Sequence, residues 1–328
     1  MKAFVRHRYG SPEVLDLVDT GTPVPRADEV LVQVRATSVN PYDWHHMRGE
    51  PRVARLMGGD MGLRRPVFEI LGADVAGRVE AVGADVTRFR PGDEVYAMVA
   101  RGAFAEYVCV REDDLAPKPG NLSFAQAAAV PMAALTALLA LRDHGRIASG
   151  HRVLVNGASG GVGTFAVQLA RAMGGRVTGV CGTGRTDLVR SLGAEEAVDY
   201  TTTDFTRRGR RHDLLLDGAG GHSGAASRRA LTPRGAHVVI GGPAGRWLQP
   251  AGHMLAMLAA GPFVSQRIAT VDVVGGAERG PDLRTLTGFI ESGDVVPVIG
   301  RSYPFEDIPA AIGYQERGRV PGKVVIEV

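Results

Sequence analysis

The pattern of apolar and polar positions changes part-way along the chain. Val30–Ala36 and Gly77–Gly83 alternate between apolar and polar residues, which predicts half-buried strands of a small β domain. From Arg152 the apolar positions instead form a continuous run, which breaks into small residues and resumes as a helical stripe through Thr164–Met173. The sequence therefore predicts an α/β protein in which a β domain precedes a parallel sheet.

The junction between that apolar run and the helical stripe is rich in glycine. Ala158, Gly160 and Gly163 stand at the spacing of the dinucleotide fingerprint, and a second strand at Val177–Cys181 follows at the distance that a βαβ unit requires. Such a turn lets the backbone approach a pyrophosphate, which the N-terminus of the next helix attracts. The predicted pyrophosphate-binding residues are Ala158, Ser159, Gly160, Gly161, Val162 and Gly163.

The end of the second strand predicts the kind of cofactor. A chain that prefers NAD usually carries Asp or Glu there, about 20 residues after the glycines. This chain carries Cys181–Arg185, which contains no carboxylate, and the side chains of Thr183 and Arg185 are donors suited to a 2′-phosphate. We therefore expect NADP(H). The alternative is NAD(H), or both cofactors, with Arg185 as a solvated charge at a helix end.

Three further strands are predicted, at Glu196–Asp199, Asp213–Asp217 and Ala236–Ile240, and they complete a doubly wound parallel sheet. Because parallel strands end at the same edge of a sheet, the turns after them are expected to face the cofactor. The residues predicted to contact it are Tyr200 beside the adenosine, Gly218 under the ribose, Gly241 and Gly242 at the nicotinamide, and Lys323 at the start of the last strand.

Composition excludes several other classes of protein. The 328 residues suffice for two domains, and the net charge is only +3, with one basic cluster at Arg207–Arg211 that is too short for a nucleic-acid surface. The longest apolar stretch, Phe124–Leu141, is alanine-rich and favours a buried helix over a membrane span. Cys109 and Cys181 supply neither a disulfide framework nor a zinc-binding set, and the N-terminus lacks a secretion signal, so we expect a cytoplasmic protein.

Four ordered motifs resemble the medium-chain dehydrogenase/reductase superfamily, and most closely its zinc-independent quinone oxidoreductase, or zeta-crystallin-like, branch. They are Gly72–Gly83, Phe89–Val95, Gly102–Tyr107 and Gly157–Gly163, and the resemblance extends to Lys323–Ile326. It implies a GroES-like β domain at residues 1–120, a Rossmann domain at 121–270 and a return of 271–328 to the first domain. It also implies an active site in the cleft between the domains, and a homodimer that pairs two Rossmann sheets edge to edge.

The same resemblance argues against a metal. Zinc-dependent relatives place a cysteine and a histidine where this chain has Asn40 and Ala73, which supply neither a thiolate nor an imidazole. His45 and His46 are adjacent, and adjacent side chains on a helix or strand point apart. We therefore expect no metal site. Without a metal to stabilise an alkoxide, quinones and activated carbon–carbon double bonds are favoured over alcohols as substrates.

The segment Asn40–Gly49 resembles the active-site loop of this branch. The resemblance implies that Asn40 hydrogen-bonds the substrate oxygen or the nicotinamide ribose and that Asp43 orients the loop. His45 stands where some quinone reductases carry a tyrosine, and a histidine that titrates near neutrality can donate a proton. Its alternative role is a surface histidine that caps a loop. Tyr42 either lines the pocket or belongs to the domain core.

The preferred function is a metal-free reductase that passes hydride from NADPH to a quinone or a similar conjugated carbonyl acceptor. One alternative is an enone or enoyl-thioester reductase in which His45 or Tyr42 supplies the second proton. The other is an NADPH-binding protein without turnover. Two segments each allow more than one role. Pro51–Pro66 is either a lid over the substrate or a solvated arginine-bearing loop, and Trp247–Val264 contributes to a dimer interface, a substrate pocket or the core.

Overall fold

The elements of the fold follow the predicted division into a β-rich beginning and an α/β middle. The computed structural model describes residues 1–56, 60–242, 245–247, 251–275, 279–318 and 320–328. In chain order the elements are β1 (Lys2–Val5), β2 (Asp16–Asp19), β3 (Glu29–Val39), α1 (Pro41–Arg48), β4 (Asp74–Val82), β5 (Glu94–Met98), β6 (Tyr107–Arg111), β7 (Leu115–Pro117), α2 (Phe124–Ala128), α3 (Pro131–Leu139), β8 (Arg152–Asn156), α4 (Gly161–Ala172), β9 (Arg176–Cys181), α5 (Thr186–Ser191), β10 (Glu196–Asp199), β11 (His212–Asp217), α6 (Gly224–Arg229), β12 (Leu231–Val239), α7 (Ala251–Ala260), β13 (Arg267–Thr270), α8 (Gly280–Glu291), β14 (Ile299–Pro304), α9 (Ile308–Glu316) and β15 (Lys323–Glu327).

The chain forms two compact units. Unit 1 contains Met1–Met132, Val274–Glu291 and Pro297–Val328, and unit 2 contains Ala133–Val273 and Ser292–Val296. The first boundary lies later than the predicted one at residue 120, because α2 packs against β3 and β4 and the backbone N–H of Met132 donates to the Asp74 carboxylate at 2.8 Å. Both contacts hold this stretch of chain in unit 1.

Unit 1 is built on a largely antiparallel sheet with the strand order β14-β15-β3-β4-β5-β7, and β6 pairs with β3 beyond that path. The alternation of apolar residues predicted β3, and the observed strand is longer than the predicted segment at both ends. Its buried valines, such as Val30, Val32 and Val34, form a core with Val75 and Val95 of the neighbouring strands. The return of the C-terminal segment occurs here, since β15 pairs antiparallel with the end of β3.

Unit 2 contains a six-stranded parallel sheet with the order β10-β9-β8-β11-β12-β13. The order reverses between β8 and β11, and in such sheets ligands bind outside the carboxyl ends of the strands at this point. The short segment Ser292–Val296 joins unit 2, contrary to the predicted return of everything after residue 270. The reason is the Gln168 amide, which donates to the Val296 carbonyl at 3.0 Å and accepts from the Val296 N–H at 2.9 Å.

The apolar stretch predicted as one buried helix is interrupted. It forms α2 and α3, and a π-helical turn follows at Ala140–His144. Pro131 lacks a backbone N–H and its ring disfavours a preceding helical residue, so a new helix begins there. Ser123 and Gln126 cap the start of α2 reciprocally at 3.2 and 3.0 Å. Among the described helices, none has the length and apolar character that crossing a bilayer requires.

Candidate functional site

The glycine-rich turn after β8 is held in a tight conformation. Gly157 has φ +88°, which only glycine adopts without strain. A Cβ on Gly163 would lie 2.1 Å from the Gly157 carbonyl oxygen, so the start of α4 packs directly on the turn. A Cβ on Gly160 would meet only that same oxygen, at 3.4 Å. The first N–H groups of α4, at Gly161–Gly163, have no carbonyl partner within the helix and suit an anion.

The end of β9 differs from the prediction in one respect. Asp199 lies in register with Cys181 on the neighbouring strand, and its carboxylate accepts the Thr183 hydroxyl at 2.8 Å. It also accepts the backbone N–H and the hydroxyl of Thr201 at 2.9 and 2.7 Å, and these hydrogen bonds, with that of Thr183, lower the pKa of Asp199. The expectation that no carboxylate stands beside Thr183 is therefore wrong. The hydroxyl is engaged with Asp199, which leaves Arg185 as the predicted contact for a 2′-phosphate.

Tyr200, the predicted adenosine contact, directly follows β10. Its side chain is 60 % exposed, and a Cβ on Gly182 would lie 3.4 Å from the nearest ring atom. The absence of a side chain at Gly182 thus allows the ring to lie over the end of β9. An exposed aromatic face at the end of β9 suits stacking with a purine ring.

A buried polar cluster supports the turns at the ends of β8 and β11. The Asp217 carboxylate accepts hydrogen bonds from the Asn156 amide and the Gly220 N–H, both at 2.8 Å, and the His237 ring lies 3.3 Å from it. Burial alone would raise the pKa of Asp217, but the hydrogen bond with His237 and the donors from Asn156 and Gly220 hold it below its ordinary value. Sequence reasoning did not assign this cluster, although Asn156 and Asp217 each end a predicted strand.

Two of the predicted cofactor-contacting glycines meet at this edge of the sheet. A Cβ on Gly241 would lie 2.7 Å from the Gly218 carbonyl oxygen, and the Gly218 N–H donates to the Asn156 carbonyl at 3.0 Å. The structure thus brings Gly218 and Gly241 together, and Gly242 follows directly in the chain. The small residues keep this edge open to a ligand that approaches the backbone.

In unit 1 the side chain of Asn40 is 3 % exposed and lies in a buried network. Its amide N–H donates to the Asp74 carboxylate at 2.9 Å, and its amide oxygen accepts from the Lys323 ammonium. Lys323 also lies 3.3 Å from Asp74, which accepts the Ser38 hydroxyl at 2.5 Å. The Lys323 ammonium is therefore buried and holds Asn40 and Asp74, and its contact with the cofactor stays a prediction.

Asp43 occupies the third position of α1 and is fully buried. Its carboxylate accepts the backbone N–H of Asn40 at 2.7 Å and that of Gly72 at 3.2 Å. Burial raises its pKa to about 7, although the two N–H donors oppose the shift. These contacts join the start of α1 to the segment before β4, which is the geometry of a residue that orients the loop.

The structure also corrects the expectation that His45 titrates near neutrality. Its Nδ1 lies 3.0 Å from the Glu50 carbonyl oxygen, so this nitrogen carries the hydrogen, and its ring stacks on Trp44 at 3.7 Å. Burial lowers the pKa of His45. At neutral pH the other ring nitrogen is therefore an acceptor, and His45 is a poor proton donor. Burial likewise lowers the pKa of His46 to about 4.

The predicted lid segment is partly fixed to α1. The Arg55 guanidinium donates to the carbonyl oxygens of Gly49 and Arg48 at 2.7 and 2.8 Å and lies 4.0 Å from the centre of the Tyr9 ring. Arg55 is thus not a solvated charge, because it satisfies carbonyl groups at the C-terminal end of the helix. Met57–Gly59 of the same segment lie outside the described residues.

Comparison with known proteins identifies the family. Residues 26–120 match the family described as alcohol dehydrogenase GroES-like domain, and residues 192–326 match the family described as zinc-binding dehydrogenase. The chain is 35 % identical to the NAD(P)H oxidoreductase RTN4IP1, mitochondrial, of Bos taurus, over 100 % of this chain and 89 % of that protein. It is 34 % identical to the 2-methylene-furan-3-one reductase of Solanum lycopersicum, over 99 % of this chain and 79 % of that protein.

Two solved structures share the whole fold. The quinone oxidoreductase of Coxiella burnetii superposes with a TM-score of 0.86 at 30 % identity, covering 100 % of this chain and 99 % of that chain. The quinone oxidoreductase of Escherichia coli, determined in complex with NADPH, superposes with a TM-score of 0.84 at 25 % identity, covering 100 % of both chains. The chain belongs to the quinone oxidoreductase branch of the medium-chain dehydrogenase/reductase superfamily. The resemblance predicted from the four motifs is confirmed.

The donor set of this branch member does not fit a catalytic zinc. The amide oxygen of Asn40 is bound to the Lys323 ammonium, a cation that would repel a metal ion, and Ala73 carries no donor atom. Within the part of the chain that the structure describes, no three His, Cys, Asp or Glu side chains are grouped so that they could hold a metal. Although one matching family is described as zinc-binding, the residues here suit a reaction centre built from hydrogen bonds.

The neutral state of His45 predicts the pH profile of the enzyme. A protonated His45 that donated to the substrate would give a kcat that falls as the pH rises through the pKa of His45. Because burial lowers that pKa, His45 is neutral above about pH 7 and has no proton to donate. We therefore expect kcat to show no decrease that depends on His45 between about pH 7 and 9. Steady-state rates over this range check the prediction. A decrease of kcat with rising pH that disappears in His45→Gln would contradict the prediction, whereas a decrease that persists in this variant arises from another group.

Proposed function

We propose that the protein is an NADPH-dependent, zinc-independent reductase that transfers hydride to a conjugated carbonyl acceptor, a quinone or an enone. The observation that carries the proposal is the turn before α4, where only glycine fits at Gly163 and the helix N–H groups face an open turn. The Bos taurus relative is named as an NAD(P)H oxidoreductase, and the Escherichia coli relative was determined with NADPH. The Solanum lycopersicum relative is named as a 2-methylene-furan-3-one reductase.

The residues present fit the cofactor. The N–H groups at the start of α4 would hold its pyrophosphate, Tyr200 its adenine, Arg185 its 2′-phosphate and the Gly218 and Gly241 backbone its nicotinamide half. When bound, the cofactor supplies the hydride. The chain supplies position and hydrogen bonds: Asp217 fixes the turn at Gly218–Gly220 through the Gly220 N–H, and Asn40 is oriented by Asp74 and Lys323.

A coupled binding and turnover experiment tests the proposal. The purified protein is titrated with NADPH by calorimetry, and the loss of NADPH absorbance is followed with a panel of quinones, enones and one enoyl thioester. We expect saturable binding and turnover with at least one acceptor class, and the ratio of kcat/KM values ranks quinone against enone. Tight binding without turnover across the panel would favour the second candidate, a non-catalytic NADPH-binding protein. Failure to bind either nicotinamide cofactor would overturn both.

Arg185→Ala is expected to weaken NADPH more than NADH. A charge-assisted hydrogen bond to a phosphate contributes about 1.5–3 kcal/mol, so the KM for NADPH should rise by roughly 10- to 100-fold while that for NADH changes little. The matched control is Arg190→Ala, which removes an exposed guanidinium of α5, the helix that begins directly after Arg185; this guanidinium pairs with Asp187 at 3.2 Å. An equal loss of affinity for both cofactors would show that Arg185 does not contact the 2′-phosphate that distinguishes NADPH from NADH.

We also propose a homodimer, for which β13 is the favoured edge. Among the described strands β13 pairs only with β12, and the nearby side chains of Leu255 and Phe263 are 58 % and 87 % exposed. Leu248–Pro250, within the segment assigned to this interface, lie outside the described residues. Light scattering of the purified protein measures the mass. The cytoplasmic location stays a prediction; the Bos taurus relative is named as mitochondrial.

A further inference from the structure

The end of β9 receives a carboxylate from the neighbouring strand. In parallel sheets that bind dinucleotides, the residue at the end of the second strand faces the 2′-position of the adenosine ribose. In unit 2 that strand is β9, and Cys181 at its end lies in register with Asp199 of β10. The Asp199 carboxylate reaches the turn after β9, because it accepts the Thr183 hydroxyl at 2.8 Å. A negative charge therefore stands at a position where the sequence of β9 itself provides none.

The Asp199 carboxylate is held by hydroxyl and amide groups rather than by a cation. One of its oxygens accepts the Thr183 hydroxyl, and the other accepts the backbone N–H and the hydroxyl of Thr201 at 2.9 and 2.7 Å. The hydrogen bonds from Thr201, and then the one from Thr183, lower the pKa of Asp199, and no described cation contributes to this shift. The carboxylate is therefore ionised at neutral pH and keeps its full charge toward a ligand.

The hydroxyl of Thr183 has no hydrogen left for a phosphate. A hydroxyl group carries one hydrogen, and a carboxylate can only accept. The Thr183 and Thr201 hydroxyl oxygens lie 2.8 Å apart, and each is also within 2.8 Å of Asp199, so both hydroxyl hydrogens are donated within this cluster. What remains for a ligand is a set of oxygen lone pairs and one negative charge. Such a surface accepts a hydrogen bond from a ribose hydroxyl and repels a phosphate.

The other charged groups at this edge of unit 2 belong to the turn after β9 and to α5. Arg185 ends the turn, and its backbone N–H donates to the Gly182 carbonyl oxygen at 3.1 Å. In α5 the Arg190 guanidinium pairs with the Asp187 carboxylate at 3.2 Å, so these two charges offset each other. A 2′-phosphate would thus be attracted by Arg185 and repelled by Asp199.

We propose that Asp199 sets the cofactor selectivity of the chain: its carboxylate accepts the free 2′-hydroxyl of NADH and opposes the 2′-phosphate of NADPH. This inference rests on the proposed function and concerns the choice of nucleotide, not the hydride transfer itself. Arg185 and Asp199 act in opposite directions, so NADPH gains less over NADH than the arginine alone would give. The chain therefore accepts NADH as well as NADPH.

Asp199→Asn tests the inference with ligands that contain only the adenosine half of the cofactor. Adenosine 2′,5′-bisphosphate and adenosine 5′-monophosphate differ only in the 2′-phosphate, and calorimetry measures both affinities without turnover. The asparagine keeps an oxygen for the Thr201 N–H, removes the charge and can donate to the Thr183 hydroxyl, whose hydrogen then becomes available to the phosphate. We expect the ratio of the two affinities to shift roughly 10-fold toward the bisphosphate. Added salt should reduce the difference between variant and wild type, because exposed charges are screened.

Asp204→Asn is the matched control. The Asp204 carboxylate accepts the backbone N–H and the hydroxyl of Thr206 at 2.9 and 2.7 Å, which are the contacts that Asp199 makes with Thr201. This variant removes the same charge and the same kind of local contact without touching Thr183, so we expect the wild-type affinity ratio.

Thr183→Val separates the hydroxyl from the charge. In the wild-type background the hydroxyl hydrogen is already donated within the cluster, so we expect little change in affinity for the bisphosphate. In the Asp199→Asn background the same substitution should remove part of the gained affinity, because the released hydroxyl is the donor that is lost. NADPH and NADH themselves should follow the same order in their KM values.

Two results would overturn the inference. They are an Asp199→Asn protein with the wild-type affinity ratio, and a loss of bisphosphate affinity in Thr183→Val alone, since the hydroxyl would then already serve the phosphate. Either result leaves the proposed function standing when the wild-type protein binds NADPH and reduces an acceptor. A wild-type protein that reduces no acceptor overturns the proposed function, and the two adenosine nucleotides still decide whether Asp199 opposes the 2′-phosphate.

Discussion

Gly163→Val is expected to abolish NADPH binding and to destabilise unit 2. A Cβ at this position would lie 2.1 Å from the Gly157 carbonyl oxygen and 2.8 Å from Ala158 Cα, and both are backbone atoms that cannot rotate away. The start of α4 must then move off the turn, so its N–H groups no longer converge on the pyrophosphate. We expect at least a 100-fold loss of NADPH affinity by calorimetry and a lower midpoint of thermal unfolding.

Substitutions at two other glycines distinguish the loss of NADPH affinity from the loss of stability. Gly160→Ala places a Cβ 3.4 Å from the Gly157 carbonyl oxygen, so we expect it to preserve the fold and to weaken NADPH where the backbone must approach the cofactor. Gly288→Ala lies in α8, where a Cβ meets no atom within 4 Å, and should add up to about 1 kcal/mol of helix stability without changing affinity. A Gly163→Val protein that folds and binds NADPH normally would contradict the assigned packing of α4 on the turn.

The parallel sheet of unit 2 was predictable because its strands carry local signals. Glu196–Asp199 was predicted with the observed bounds, and the strand ending at Asp217 begins one residue earlier than predicted, at His212. The helix across Phe124–Leu141 was predicted without its break, although Pro131 gave the signal for it. The periodicity of apolar residues therefore located the elements, and the position of Pro131 predicts the helix break that the periodicity alone did not show.

The contacts of the candidate site residues that the sequence did not predict join residues that are far apart in the chain. Asp199 reaches Thr183 because β10 and β9 are neighbouring parallel strands in a particular register, and that register is a property of the sheet. Lys323 reaches Asn40 across 283 residues, through the pairing of β15 with β3. The buried state of His45, which lowers its pKa, likewise depends on tertiary packing. Residue types alone thus predicted candidate site residues, whereas the hydrogen-bond partners of these residues follow from the fold.

Lys323→Met is expected to destabilise unit 1 and to reduce catalysis together. The ammonium is 3 % exposed and its partner Asp74 is 0 % exposed, so the variant leaves a buried carboxylate without its cation. Breaking one side of a buried pair costs about 3–5 kcal/mol, which denaturant unfolding measures as a lower midpoint. A surface pair supplies the control: Arg152→Met removes the partner of Asp213 at 3.8 Å and should cost less than about 1 kcal/mol.

The double variant Lys323→Met/Asp74→Asn distinguishes a charge effect from a positioning effect. Neutralising Asp74 removes the uncompensated carboxylate, so part of the lost stability should return, and the coupling energy follows from the four unfolding free energies. The Asn40 amide oxygen still lacks its donor, and its N–H now faces an amide in place of a carboxylate. We therefore expect kcat to stay low when stability recovers. Recovery of kcat in step with stability would mean that the ammonium only neutralises Asp74 and does not orient Asn40.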